Sequence, residues 1–247
     1  MDRPLPAELE SFTEDMDEIE NRDKHIIWKV KGIASQMTYR LFTKHGNPKF
    51  ADPKIAEFSK AFKEKYVIPL LESHLQIVLR RQTNFVGSKA LNFALKYVSQ
   101  STKMPLTMTK LKPFIEKLLY EVIVNPIMLI THKDVTLFKD DPIEYLRSQN
   151  DFIDCLYAPK NTVVDLLNYI CEYKSSKKQK QPDYLPKFLQ FCVQNLEQYS
   201  HALAAHTPVD WRIKEAILYA IGGLFEEIEP YKDLRPLVEP TLIAHVK

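Results

Sequence analysis

The sequence predicts an all-α protein, a superhelical solenoid of antiparallel helix pairs, and three observations carry that prediction. Apolar residues recur at three- and four-residue steps from His25 onward, which is the period of one helix face. Only five glycines stand against sixteen prolines. Tight hairpins and phosphate-cradling loops need glycine, whereas proline punctuates helix ends, so the balance disfavours sandwiches, barrels and nucleotide-binding α/β folds. Helical patterns also follow one another through short polar turns, with no strand-rich block between them.

Taken in order, residues 1–23 hold nine acids against two arginines, a net of −7. Dense like charge and few apolar side chains predict an acidic, flexible, extended linker there, with the helical array spanning 24–247. Ile26, Ile27, Val30, Ile33, Ala34, Met37, Leu41 and Phe42 then form one face of a helix that Gly46-Asn47-Pro48 stops. A second helix runs from Ile55 to about Arg80, and Pro69 predicts a kink or break inside it.

A third pattern covers 85–101 and a fourth about 107–124, with Pro113 near its first turn. Val122 to Ile130 reads as the end of that fourth helix. Asp141-Pro142-Ile143-Glu144 is a helix start in sequence. Asp141 can cap the first free amides, Pro142 loses nothing at the first helical position, and Glu144 can reach back to the cap's own amide. This helix should run to about Leu156.

Val163 to Cys171 and Leu185 to Tyr199 line two further helices, joined by the basic loop Lys174–Pro182. Thr207-Pro208 opens a helix in which Ala216, Ala220 and Gly223 put small residues along one edge. Since Gly222-Gly223 weakens that helix by roughly 1 kcal/mol per glycine, close approach of a neighbour is its reason. A last helix runs from Tyr231 to His245 with Pro236 and Pro240 inside. Pairs beginning near residues 25, 85 and 208, with the capped helix between, give the stacking pattern of a repeat solenoid. The unit, roughly 60 residues, exceeds the ~40–47 usual for HEAT or armadillo repeats, so inserted loops are required.

The charge excess beyond residue 23, 32 cations against 23 acids, is spread too thinly to form a nucleic-acid-binding stripe. Cys155, Cys171 and Cys192 are odd in number and widely spaced, which reads as reduced core cysteines of an intracellular protein. No apolar run approaches the ~18–20 residues of a membrane span, and no signal peptide is visible. No phosphate-binding, dinucleotide-binding, zinc-protease or nucleophile-elbow motif occurs. The expectation is therefore a protein that is not an enzyme, with no catalytic, cofactor or metal-binding residues.

Leu137-Phe138-Lys139-Asp140-Asp141-Pro142-Ile143-Glu144-Tyr145-Leu146-Arg147 resembles a signature in the middle of importin-β superfamily receptors, the importin seven and eight subgroup above all. Asp2-Arg3-Pro4-Leu5-Pro6, Trp28-Lys29-Val30-Lys31, Arg40-Leu41-Phe42 with Lys44-His45-Gly46-Asn47-Pro48, Leu111-Lys112-Pro113 and the Arg212–Gly222 helix resemble that subgroup in the same order. Pro69 and the basic 174–182 loop depart from it. The resemblance implies a central HEAT-repeat segment of a nuclear transport receptor, a karyopherin.

Such a receptor would carry basic protein cargo, of the ribosomal-protein or histone class, into the nucleus under Ran-GTP control. It would touch phenylalanine-glycine (FG) nucleoporins, shuttle between cytoplasm and nucleus, and bind neither nucleic acid directly nor membrane. On that reading Glu226, Glu227, Glu229, Asp233 and Glu239 are the acids expected to face cargo. An exportin of the same superfamily, or a HEAT scaffold outside transport, shares the fold and stays open at this point.

Overall fold

The computed structural model describes residues 6–13, 15–47, 52–150 and 158–246. Its helices in chain order are α1 (Ala7–Glu10), α2 (Met16–Lys24), α3 (Ile26–His45), α4 (Ala56–Lys65), α5 (Val67–Arg80), α6 (Ser88–Ser101), α7 (Pro105–Leu111) and α8 (Ile115–Lys117). A π-helical segment, Leu118–Ile127, continues α8 but is broken at Asn125, whose backbone is extended (φ −129°, ψ 117°), so Val122 to Ile130 is not the uninterrupted helix end expected from the sequence. There follow α9 (His132–Asp140), α10 (Pro142–Asn150), α11 (Pro159–Glu172), α12 (Leu185–Ala204), α13 (Trp211–Gly223), α14 (Phe225–Ile228) and α15 (Arg235–Val246). The described residues contain no β-strand, only an isolated bridge between Ser11 and Asn84. The fold is all-α and built from successive packed helices, as the sequence predicts.

The chain forms two compact units. One comprises Met1–Phe114 and Thr131–Thr162, the other Ile115–Ile130 and Val163–Lys247.

In the first unit, α3 and α6 run in the same direction. Trp28 meets Phe85 at 5.6 Å, Tyr39 meets Phe93 at 6.0 Å and Phe42 meets Tyr97 at 4.4 Å, so contacts advance together along both chains. Helix α5, joined to α6 by a short turn, runs antiparallel to it. The three helices meet at Tyr97, which is fully buried. Its ring lies between Phe42 and His74, the latter stacked on it at 4.3 Å with the ring planes nearly parallel. Its hydroxyl donates to the Val67 carbonyl at 3.1 Å. His74 Nδ1–H donates to the Leu70 carbonyl at 2.6 Å, which leaves Nε2 as an acceptor 3.1 Å from Thr38 Oγ1.

Several expectations are corrected here. Of the 1–23 stretch expected to be extended, residues 7–10 and 16–23 are helical. Ion pairs Glu18–Arg22 and Glu20–Lys24, one helix turn apart, offset the crowding of acids. The Asp23 carboxylate accepts from the Ser88 amide at 2.7 Å and hydroxyl at 2.6 Å, and Trp28 Nε1–H donates to the Leu9 carbonyl.

Helix α3 buries Trp28, Gly32, Ser35, Phe42 and His45, whereas Ile26, Val30, Ile33, Met37 and Leu41 lie exposed. The helix is apolar on two sides, and periodicity alone cannot say which side has a neighbour.

The 55–80 helix breaks at Tyr66, and Pro69 falls in the first turn of α5, where a missing N–H costs little. Pro105, not Pro113, opens the fourth helix. Pro113 sits within it, in a 3₁₀ turn at Lys112–Phe114. α10 is described to Asn150; residues 151–157, with Cys155 and the expected helix end at Leu156, lie outside the described residues.

In the second unit the π-helical segment buries Leu118, Leu119, Val122 and Ile123 among α12 and α13. The Asn125–Pro126 peptide is cis. Tyr120 packs on Phe191 at 5.0 Å. α13 begins at Trp211 with Asp210 as its cap, three residues beyond Thr207-Pro208. Its small edge is packed at three of the four positions: Ala216 and Ala220 are fully buried, and a Cβ added at Gly223 would meet Val164 Cγ1 at 2.8 Å, but one added at Gly222 would meet nothing within 4 Å, so close approach of a neighbour does not account for Gly222. Cys171 and Cys192 are buried free thiols, and burial pushes both well above the usual thiol range.

Candidate partner-binding surfaces

The expected cargo-facing acids lie in the second unit. Glu226 and Glu227 sit on α14, a single turn that follows α13 directly; Glu229 and Asp233 lie in the turn after it; Glu239 is on α15. Glu226, Glu229, Asp233 and Glu239 are exposed, and Glu227 is half-buried. Burial and then the neighbouring Glu172 carboxylate, hydrogen-bonded to it, raise the Glu227 pKa above its ordinary value. Glu227 is thereby turned toward Glu172, a partner that sequence reasoning missed because Glu172 lies 55 positions away on α11.

The basic loop after α11 approaches the same region. Lys174 Nζ sits 5.4 Å over the Tyr231 ring, and Gln181 Nε2 donates to the Asp233 carboxylate. The loop is held internally by Ser175 N–H donating to Asp183 Oδ1 at 3.0 Å and Ser176 N–H to Gln179 Oε1 at 3.0 Å. The 226–239 acids thus share their surface with lysines and do not form a uniformly negative face.

At the signature helix, Asp141 Oδ1 accepts from the Ile143 and Glu144 amides at 3.1 and 2.9 Å, with Pro142 as the first helical residue. The reciprocal half of the box differs from expectation. The Asp141 amide donates to the Leu137 carbonyl at 2.8 Å, because Asp141 also ends α9, and Glu144 pairs instead with Arg147 at 3.5 Å. The complete capping box lies at the start of α9, where Thr131 and Asp134 exchange side-chain and backbone bonds. Both helices of this hairpin are largely exposed, with Phe138 against Tyr145 at 5.4 Å.

Among the described residues, no three His, Cys, Asp or Glu side chains come together as a metal site. None of the described helices is long and apolar enough to cross a membrane.

The fold defines an all-α protein of the helical-repeat type. Comparison with known proteins gives its relatives. The whole chain is 28% identical to an importin beta-like SAD2 homologue of Arabidopsis thaliana, over 23% of that protein. It is 30% identical, again over its whole length, to importin-8 of Homo sapiens, covering 22% of it. A third relative, nonsense-mediated mRNA decay protein 5 of Saccharomyces cerevisiae, is 26% identical over 198 residues, 79% of this chain and 18% of that protein. Over its whole length the chain is similar to a segment of importin-8 and of an importin beta-like protein. It spans less than a quarter of the length of these relatives. No family model matches it, and no solved structure does.

Proposed function

We propose that this chain is the helical-repeat segment of a nuclear transport receptor that carries protein cargo into the nucleus under Ran-GTP control. The observation that carries the reading is similarity to importins over all 247 residues. A stack of helix pairs suits the task, since small rotations per pair add up to a large change in curvature. The receptor shuttles between cytoplasm and nucleus and contacts FG nucleoporins through its outer helices.

Its cargo is basic, of the ribosomal-protein or histone class, and Glu226, Glu229 and Glu239 are the acids that meet it. Glu227 and Asp233 contribute less, being engaged by Glu172 and Gln181. The direct test is a pull-down of basic cargo by the whole receptor with and without GTP-locked Ran. Ran-GTP should release the cargo; cargo held more tightly would mark an exportin, and no response would place the chain outside transport. Reversing Glu226, Glu229 and Glu239 to lysine together should weaken cargo binding at low salt about tenfold or more, given roughly 0.5 kcal/mol or more per exposed charge. Unchanged affinity removes these acids from the cargo face.

A further inference from the structure

The connection between α11 and α12 is a built structure rather than slack chain. Its neck closes where the Asp183 amide donates to the Tyr173 carbonyl at 2.9 Å and the Asp183 carboxylate accepts from the Ser175 amide at 3.0 Å. Gln179 Oε1 accepts from the Ser176 amide and the Ser175 hydroxyl, each at 3.0 Å. Residues 174–182 therefore form a compact Ω-type loop, with four lysines and no acid. Pro182 is buried, whereas Lys174, Lys177, Lys178 and Lys180 are exposed.

Charge alone would fit such a loop to an anionic ligand, but its surroundings argue otherwise. Glu172 and Asp183 flank it in sequence, and its two ends reach the acidic turn after α14. At one end Lys174 Nζ lies 5.4 Å over the Tyr231 ring, and at the other Gln181 Nε2 donates to the Asp233 carboxylate. An aromatic face with a carboxylate two residues on is a seat for a cation. The turn that carries both groups is fixed in place. The Tyr231 amide donates to the Ile228 carbonyl at 2.9 Å, the Leu234 amide donates to the Tyr231 carbonyl at 3.0 Å, and Ile228 and Leu234 are buried.

We infer that Tyr231 and Asp233 are a recognition seat for a lysine or arginine of basic cargo, held in its absence by the protein's own Lys174 and Gln181. The 174–182 loop is a stand-in for cargo, and a lysine-rich segment binds by displacing it. This rests on the reading of the 226–239 acids as the cargo face and deepens it. Asp233, engaged by Gln181 in the unloaded chain, becomes a cargo contact once the loop withdraws. The loop's groups are tethered beside the seat at high effective concentration, so a lone cation competes poorly with them. A run of cations that also meets Glu226 and Glu229 competes well. The seat therefore selects density of positive charge.

Fluorescence anisotropy of a labelled oligolysine peptide on the whole receptor, at low salt and without Ran, tests the seat. Tyr231→Leu should weaken binding about two- to fivefold. Lys174→Gln with Gln181→Ala should tighten it about threefold or more, because the seat no longer has a tethered competitor. The same loop change in a Tyr231→Leu background should bring little gain. A loop variant that binds no better than the native chain overturns the inference. So does a gain that survives intact beside Tyr231→Leu, which marks a bulk charge effect. Reversing Glu226, Glu229 and Glu239 to lysine separates the two failures. If that reversal weakens peptide binding while Tyr231→Leu and the loop change leave it unaltered, the seat is wrong and the cargo face stands. If none of the three alters affinity, the cargo face itself falls.

Discussion

His74 shows how one buried polar side chain is kept in a core of rings. It is wholly covered, its Nδ1–H is spent on the Leu70 carbonyl, and its ring stacks on Tyr97. Burial holds its pKa below the ordinary 6.5. The unfolded chain therefore takes up this proton more readily than the folded one. The contribution of neutral His74 is present in full above about pH 6.5 and is lost as the pH falls below it. Thermal melts at pH 7.5 and 5.5 should show the lower Tm at 5.5, and His74→Gln should remove part of that difference.

Gly222 and Gly223 give a second pair of single-residue predictions, of opposite sign. A methyl at Gly222 meets nothing within 4 Å, so Gly222→Ala should stabilise by up to about 1 kcal/mol through helix propensity. A methyl at Gly223 meets Val164 at 2.8 Å, and Gly223→Ala should destabilise by about 1–3 kcal/mol. Urea titrations of the two variants check both; a shift of the same sign in each would refute the close approach.

Among elements, the α9–α10 hairpin separates what local sequence can say from what it cannot. Asp141→Ala removes an acceptor for two amides and should cost about 1 kcal/mol, felt as faster hydrogen exchange in α10. Glu144→Ala should be nearly neutral, because Glu144 holds only an exposed pair with Arg147. The cap at Asp141 was legible because capping depends on residues one to three positions apart. The fate of Glu144 was not, because it turned on α9 ending at the same residue. Prolines behaved alike: Pro69 marked a break correctly but not its position, since a proline is tolerated anywhere in a first turn. Helix α3 was legible as a helix, while its buried side was not. Only the arrival of α6 decides which of two apolar faces is covered.

At the scale of the whole molecule, the all-α architecture was readable from period and from glycine scarcity. The division into units was not, because it depends on contacts between distant stretches. The chain leaves the first unit at residue 115, returns at 131 and leaves again at 163. A protein stopped at residue 162 would keep Leu118, Leu119, Val122 and Ile123 without the α12 and α13 helices that cover them. It should bind a hydrophobic dye and aggregate, as light scattering would report. A monomeric, dye-silent 1–162 chain would show that 115–130 finds cover elsewhere.

That interleaving also sets a timetable. On the ribosome the apolar 115–130 stretch emerges well before α12 and α13, the helices that bury it, have been made. At ~5–20 residues per second the wait is several seconds, far longer than a small chain takes to collapse. The nascent chain must therefore either be shielded by a chaperone during that interval or hold those side chains in temporary non-native company. Codon choice between residues 130 and 223 then becomes a determinant of yield, through the length of time the segment is left waiting.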